Sequence, residues 1–203
     1  MWAHEHWGLD DPPDIVSFAK KTQIAGFFST AEMRPKEAYR IFNTWMGDPA
    51  KMIMLETIMK EYKANDLVQN AGITGDFLLD GLKQLSEDHG SKIGRARGQG
   101  TFCAVSVNNT RTRDAIINNL RAHGVESGGS GAYTIRLRPT MMFMPQHAAE
   151  FLAIFDKVLE ETEIVGEASE WNTKDPRNIV DVDTGKQGRF HSMSELKSTM
   201  NMP

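Results

Sequence analysis

Segments with helical periodicity alternate with short strand-like segments along much of this 203-residue chain. Apolar residues recur at helical spacing from Met52 to Tyr62 and again over 146–161, whereas Phe102–Val107 and Thr134–Leu137 have strand character. Such alternation is typical of a compact α/β subdomain in which helices cover a sheet. The pattern therefore predicts a mixed α/β fold.

Capping and turn residues place further elements. Asp48 and Pro49 have the pattern of an N-cap followed by proline at the first helical position. We also predict strands at 15–18 and 26–28, helices over 66–85 and 112–123, and an irregular glycine-rich segment at 127–131. From residue 163 the chain lacks apolar periodicity, so we predict a mostly disordered tail over 163–203, with a weak helix at 190–200.

The helical patterns also predict which side chains form the core. We expect the methionines from 46 to 59 to be buried. In the second helix Gly72 and Gly75 weaken the prediction, because each glycine costs about 1 kcal/mol relative to alanine. The inward residues expected in the second and last helices are Leu67, Val68, Ala71, Leu78, Leu82, Leu85, Ala148, Phe151, Leu152, Phe155, Val158 and Leu159.

Composition excludes several classes of function. The net charge is −4, and the 23 basic residues form no dense run, which argues against a nucleic-acid surface. No stretch of about 18 apolar residues is present, so we expect no membrane span. The single cysteine, Cys103, lies in an apolar run and is expected to be a small core residue.

A lysine follows the first predicted strand directly. Asp14 opens a short apolar run that ends at Phe18, and Ala19 leads into Lys20 and Lys21. We expect Lys20 to lie at the end of a buried strand, where a low dielectric lowers the pKa of an amine and frees it as a nucleophile. Such an amine can react with the carbonyl group of a cofactor such as pyridoxal phosphate.

Several motifs resemble those of the 4-aminobutyrate (GABA) aminotransferase family, which belongs to the class III pyridoxal-phosphate enzymes. They occur in the family's order and with its spacing over roughly residues 2–160. The motifs are Trp2-Ala3-His4-Glu5-His6-Trp7-Gly8, Phe18-Ala19-Lys20-Lys21, Gly26-Phe27-Phe28, Tyr39-Arg40-Ile41-Phe42-Asn43-Thr44-Trp45-Met46-Gly47-Asp48-Pro49, Arg97-Gly98-Gln99-Gly100-Thr101-Phe102 and Ile135-Arg136-Leu137-Arg138-Pro139.

The resemblance implies the C-terminal part of a fold-type I pyridoxal-phosphate-dependent transferase. Residues 1–50 would end the large cofactor domain, 51–162 would form the small C-terminal domain, and 163–203 the tail. The family's glycine-rich phosphate loop and its aspartate partner of the pyridine nitrogen are not found in the sequence, so we expect a C-terminal fragment whose activity alone is doubtful. Family members are homodimers in mitochondria or cytoplasm, and we expect one of these locations.

The resemblance also implies roles for individual residues. Lys20 would form the Schiff base with pyridoxal 5'-phosphate, with Lys21 as the alternative. Thr44 would donate its hydroxyl to the cofactor phosphate across the dimer interface, beside backbone N–H groups left free ahead of a helix. Arg136 would bind the substrate carboxylate with its guanidinium fork. We expect Arg138 to point to the opposite face of the strand and to be structural.

The implied reaction transfers the amino group of 4-aminobutyrate to 2-oxoglutarate, giving succinate semialdehyde and glutamate. Two alternatives stay open: another ω-aminotransferase, acting on lysine or ornithine, and an inactive fragment that only binds a partner. His4 and His6 share a face only in a strand and have no evident third ligand, so we predict no metal site. The 128–131 segment has no P-loop lysine and no following helix, so we predict a flexible lead-in to the Arg136 strand.

Overall fold

The structure is a computed structural model that describes residues 2–165. These residues divide into two units, with the boundary between Val68 and Gln69. The predictions for the tail after residue 165, including the weak helix at 190–200, lie outside the described residues. Among residues 2–165, no helix has the length and apolar character needed to cross a bilayer.

The first unit is built from a short hairpin and a helix. Strands β1 (Ile15–Phe18) and β2 (Gly26–Ser29) pair antiparallel, with Val16 opposite Phe28. Helix α1 (Pro49–Ala64) begins as predicted, because Asp48 accepts a hydrogen bond from the Ala50 N–H at 3.0 Å. Both strands and the helix start were therefore predictable from the sequence.

The predicted core of the first unit is wrong. Helix α1 has no buried residue, and Met46, Met52 and Met54 are each about half exposed. Helical spacing shows which face of a helix is apolar, but a face is buried only when another element covers it. Within residues 2–68 the hairpin supplies two short strands and no second layer of sheet.

In the part described, up to residue 165, the second unit consists of a four-stranded antiparallel sheet and three helices. Its elements, in chain order, are helix α2 (Leu67–Asp88), β3 (Ile93–Gln99), β4 (Phe102–Val107), α3 (Thr110–Ala122), β5 (Gly128–Ser130), β6 (Thr134–Leu137) and α4 (Pro145–Glu161). The strand order is β3-β4-β6-β5. This arrangement confirms the predicted mixed α/β class.

The side chains on one face of the sheet form the hydrophobic core together with those of the helices. Val105 lies opposite Ile135, Cys103 lies opposite Leu137, and all four are buried with the apolar faces of the helices. The six predicted inward residues of α4 are all buried. In α2 the prediction holds for Leu67, Leu78, Leu82 and Leu85, whereas Val68 is exposed and Ala71 only half-buried.

Gly75 is needed where α2 crosses the sheet. A Cβ atom there would lie 2.1 Å from the backbone carbon of Gly100 in the β3–β4 turn. The helix continues through Gly72 and Gly75, because close packing at Gly75 outweighs the propensity cost of glycine.

Two strands differ from the predictions. β3 carries one fully buried apolar side chain, Ile93, among glycines and arginines, so its sequence has no strand pattern. The 128–130 segment was predicted to be irregular, but it pairs with β6 as β5, with Gly128 opposite Arg136. Backbone pairing with a neighbouring strand forms this element, and Gly-Gly-Ser carries no side-chain signal for it.

Candidate functional site

Lys20 follows β1 in an unusual backbone conformation. Ala19 is fully extended, and Lys20 has a φ of 68°, in the left-handed region. The Lys20 carbonyl then accepts a hydrogen bond from the Gln23 N–H at 2.9 Å, closing a 3₁₀ turn over Lys20–Thr22. A non-glycine residue in this region costs about 1 kcal/mol or more, and such residues cluster at functional sites.

The expected burial of Lys20 is wrong. Its side chain is exposed, since β1 alternates between exposed and half-buried residues in a hairpin that no other strand extends within residues 2–68. The Lys20 amine has no hydrogen bond or ion pair with any residue from 2 to 165. The adjacent Lys21 is half-buried. Lys20 therefore presents an accessible amine on a turn with fixed backbone geometry.

Thr44 lies in a turn immediately before α1. The Asn43 side-chain oxygen accepts from the Trp45 N–H at 2.7 Å, and the Asn43 carbonyl accepts from the Met46 N–H at 3.0 Å. Thr44 is exposed, and its hydroxyl has no partner among residues 2–165. The turn fixes the backbone on both sides of this hydroxyl.

The anion site expected from free backbone N–H groups at this point is only partly available. The amides of Trp45 and Met46 are used within the turn, and Asp48 caps the helix. A negative cap also repels a second anion at the helix end. An anion beside this turn would therefore depend on the Thr44 hydroxyl more than on the helix N-terminus.

Arg136 lies in the middle of the second unit's sheet. It is half-buried on β6, between Ala104 of β4 and Gly128 of β5. It forms no hydrogen bond or ion pair with residues 2–165. A half-buried guanidinium without a protein carboxylate is suited to bind an anionic ligand.

Arg136 and Arg138 both line a cleft of about 580 Å³ in the second unit, together with Phe143, His147 and Glu150. The expectation that the two arginines point to opposite faces is wrong, because residues i and i+2 of a strand share a face. Ser127 also lines this cleft, and its buried hydroxyl has no hydrogen-bond partner among residues 2–165. Ser127 stands before two glycines, and this sequence pattern did not indicate that it lines a cleft.

Two histidines, His4 and His6, lie in the segment before β1. Ala3–His6 forms a 3₁₀ turn rather than a strand, and Glu5 accepts from the Trp2 N–H at 2.7 Å. In the described range, 2–165, no three His, Cys, Asp or Glu side chains are grouped so that they could hold a metal ion.

The described residues thus have a mixed α/β fold in which Lys20 lies on a turn directly after β1 and Arg136 lies on a sheet strand. Residues 1–159 match the family Aminotransferase class-III. The chain belongs to the class III aminotransferases.

Curated relatives and solved structures agree with this assignment. The chain is 46% identical over 161 residues to the 4-aminobutyrate aminotransferase of Dictyostelium discoideum, covering 79% of this chain and 32% of that protein. The identity and the two coverages are the same for the mitochondrial 4-aminobutyrate aminotransferase of Sus scrofa. The chain thus spans about a third of the length of these relatives.

Two solved structures have the same fold. The lysine aminotransferase of M. tuberculosis superposes with a TM-score of 0.68 at 28% identity, covering 77% of this chain and 37% of that one. The ornithine delta-aminotransferase of Plasmodium falciparum superposes with a TM-score of 0.69 at 20% identity, covering 77% and 42%. At 20% identity, the similarity to the ornithine delta-aminotransferase shows a common fold and nothing about function.

Proposed function

We propose that this chain contributes the cofactor-binding lysine and a substrate-binding arginine to an enzyme that transfers the amino group of 4-aminobutyrate to 2-oxoglutarate. The products are succinate semialdehyde and glutamate. The observation that carries the proposal is the 46% identity to 4-aminobutyrate aminotransferases over 161 residues. The family match over residues 1–159 includes Lys20, Thr44 and Arg136. The accessible amine of Lys20, on a 3₁₀ turn directly after β1, supports the proposal.

The cofactor that we propose is pyridoxal 5'-phosphate. The groups available in this chain suit it: the Lys20 amine for its carbonyl group and the Thr44 hydroxyl for its phosphate. When bound, this cofactor withdraws electrons from the carbon that carries the substrate amino group. The Lys20 Nζ would then accept the proton of that carbon and return it later in the cycle as a general acid.

Arg136 would bind a substrate carboxylate through two parallel N–H···O hydrogen bonds. Its half-buried position strengthens such a contact, because less water competes for the guanidinium. The ordering of the substrate by this contact would hold its amino or keto carbon in one place relative to the cofactor.

The wider organisation is also proposed by analogy with the relatives. Residues 1–50 would complete a cofactor domain, 51–162 would form the small domain, and Thr44 would act across a homodimer interface. The Sus scrofa relative is named as mitochondrial, and for this chain we propose a mitochondrial or cytoplasmic location.

Cofactor attachment can be tested on the 203-residue chain itself. Incubation with pyridoxal 5'-phosphate, reduction with borohydride and peptide mapping should place the label on Lys20. Lys20→Arg should remove the label, whereas the matched control Lys21→Arg should keep it. A label on Lys21 alone would move the cofactor-binding role by one residue.

Substrate choice can be tested in a chimera. The matched third of the Dictyostelium enzyme is replaced by residues 1–162 of this chain, and glutamate formation from 2-oxoglutarate is measured with 4-aminobutyrate, lysine or ornithine as donor. We expect activity with 4-aminobutyrate that Lys20→Ala abolishes. Activity only with lysine or ornithine would favour the other ω-aminotransferases, and a folded but inactive chimera would favour a binding role.

A further inference from the structure

The open face of the second unit's sheet carries two arginines in one cross-strand row. Arg97 of β3 pairs with Ala104 of β4, which pairs with Arg136 of β6, which pairs with Gly128 of β5. Cross-strand partners share a face, and this face is opposite to the one that buries Val105. Two strand spacings place the Cα atoms of Arg97 and Arg136 about 10 Å apart.

A bulge in β3 directs Arg97 to this face. The register shifts between Gly94 and Arg97, and Arg95 within the bulge has a φ of 55°. Gly94 pairs with Ser106 and Arg97 with Ala104, so these two residues share a face although they are three positions apart. Without the bulge, alternation would turn Arg97 toward the core. Bulges are frequent beside functional sites, where they redirect a side chain.

The Arg97 guanidinium is held over the sheet by neighbouring oxygens. Its Nη1 donates to the Arg95 carbonyl at 2.9 Å and to Ser106 Oγ at 3.0 Å, and its Nη2 donates to Thr134 Oγ1 at 3.2 Å. Three of its five N–H groups are used in this way. The Nε–H and one Nη2–H have no acceptor among residues 2–165, so they are available to a ligand.

Among the described residues, the paired positions around the two arginines carry no carboxylate. The row that contains the arginines and the row on one side of it contain otherwise only small or hydroxyl side chains, namely Gly94, Ser106, Thr134, Ser130, Ala104 and Gly128. The row on the other side contains Gln99 and Phe102. Ala104 and Gly128 leave open space above the strands. Ala104 lies between the backbone positions of the two arginines, and neither arginine forms a hydrogen bond or ion pair with a carboxylate among residues 2–165.

Arg97 is exposed as a whole residue, and its guanidinium is only partly removed from water. Burial, and to a lesser extent the charge of Arg95, lowers the pKa of the Arg97 guanidinium from its ordinary value. The group stays cationic near neutral pH, because the guanidinium of arginine is effectively always protonated in proteins. A partly desolvated cation without a counter-charge gains more from a ligand carboxylate than a fully hydrated one.

We propose that Arg97 is a second carboxylate-binding residue, which together with Arg136 holds one substrate carboxylate above Ala104. This inference rests on the proposed function in one respect, the role of Arg136. Arg97 would then help to select substrates that carry a carboxylate at this end. It lies on β3, a strand that was not predicted from the sequence. A neutral substrate end would leave two facing cations uncompensated at this place.

The test measures binding and not transamination. The 203-residue chain is labelled with ¹⁵N and titrated with 2-oxoglutarate without cofactor, and the arginine Nε–H signals and the dissociation constant are recorded. We expect the signals of Arg97 and Arg136 to shift together. Arg97→Gln should weaken binding about tenfold or more, as expected for loss of a charge-assisted contact. The dimethyl ester of 2-oxoglutarate should not bind.

Controls separate this role from a loss of folding. Arg111→Gln removes an exposed arginine from α3 and should leave binding unchanged. Thr134→Val keeps the Arg97 charge but releases its guanidinium, and should weaken binding by a few-fold with an unchanged backbone amide spectrum. Absence of saturable binding, or binding that depends on Arg136 but is equal in Arg97→Gln, overturns the proposal. Because cofactor attachment is read separately at Lys20, failure of the proposed function stays distinguishable from failure of this one.

Discussion

Lys20 combines two properties that are rarely found in one surface lysine. Its backbone is left-handed, and its amine is exposed without a partner among residues 2–165. The first property costs free energy, so that a folded chain retains it only when surrounding contacts fix the turn. The Thr22 hydroxyl supplies one such contact by donating to the Ile24 carbonyl at 2.6 Å. The amine is thus placed by backbone geometry rather than by burial.

Thr44 is expected to affect the affinity for the cofactor and not the chemical step. In the chimera with the Dictyostelium enzyme, Thr44→Ala should raise the concentration of pyridoxal 5'-phosphate needed for half-maximal activity by roughly tenfold, because one hydrogen bond to a charged phosphate is lost. Thr30→Ala, at another exposed threonine in the first unit, is the control. A change in maximal rate at saturating cofactor would contradict this assignment.

Cys103 gives a prediction about pH. Burial, with a smaller contribution from Asp76, raises the pKa of its thiol to about 11. The unfolded thiol ionises near its ordinary value of 9.0, so above that pH the unfolded state binds fewer protons than the folded state. The free energy of unfolding should therefore fall between about pH 9 and 11, by roughly 2–3 kcal/mol from this group.

The measurement is urea unfolding at several alkaline pH values. Cys103→Ala removes the titrating group, so the difference in slope between the two proteins isolates the contribution of the thiol. Equal slopes would show that the thiol ionises equally readily in both states.

At the scale of elements, α2 offers a matched pair of glycines. Gly75→Ala should destabilise the fold by about 1–3 kcal/mol, because the added Cβ would overlap the Gly100 backbone, which cannot rotate away. Gly72→Ala should instead stabilise it by up to about 1 kcal/mol, since that position is exposed and open. Urea unfolding monitored by circular dichroism distinguishes them. Similar effects of both substitutions would mean that the contact between α2 and the β3–β4 turn is not tight.

The elements also explain what the sequence could and could not predict. Helix α4 was predicted with all six buried residues, because its apolar side is a continuous helical stripe. β3 and β5 were missed, since glycine and arginine carry no period-2 apolar pattern and their pairing partners form them. The row of Arg97 and Arg136 depends on a bulge and on pairing across three strands, neither of which local periodicity encodes.

At the scale of the whole molecule, the two units differ in how their side chains are buried. All 18 residues of the hydrophobic core cluster lie between Leu78 and Leu159, in the second unit. In residues 2–68, Leu67 is the single buried side chain, and Phe28, Phe42 and Trp45 are among the exposed aromatic residues. The sequence predicted apolar patterns in both units, but local patterns do not report whether a second layer covers them.

This difference predicts that the second unit folds by itself. A fragment of residues 66–165 keeps α2 and every member of the core cluster, and each fully buried Leu, Ile or Phe in it contributes about 1.5–3 kcal/mol. We expect a cooperative thermal transition within a few degrees of that of the 203-residue chain. Its amide protons in β4 and α4 should exchange slowly.

The corresponding fragment of residues 1–65 should give no cooperative transition. Two strands and one helix without a buried side chain cannot offset the backbone entropy of ordering, about 1–2 kcal/mol per residue. Hydrogen exchange in the 203-residue chain should show the same contrast, with β1, β2 and α1 exchanging through low-energy local opening. Protection of β1 equal to that of β4 would show that the first unit has a stability of its own. Lys20 would then be exposed on a unit that is stable by itself, and not on one that becomes ordered only when further contacts are made.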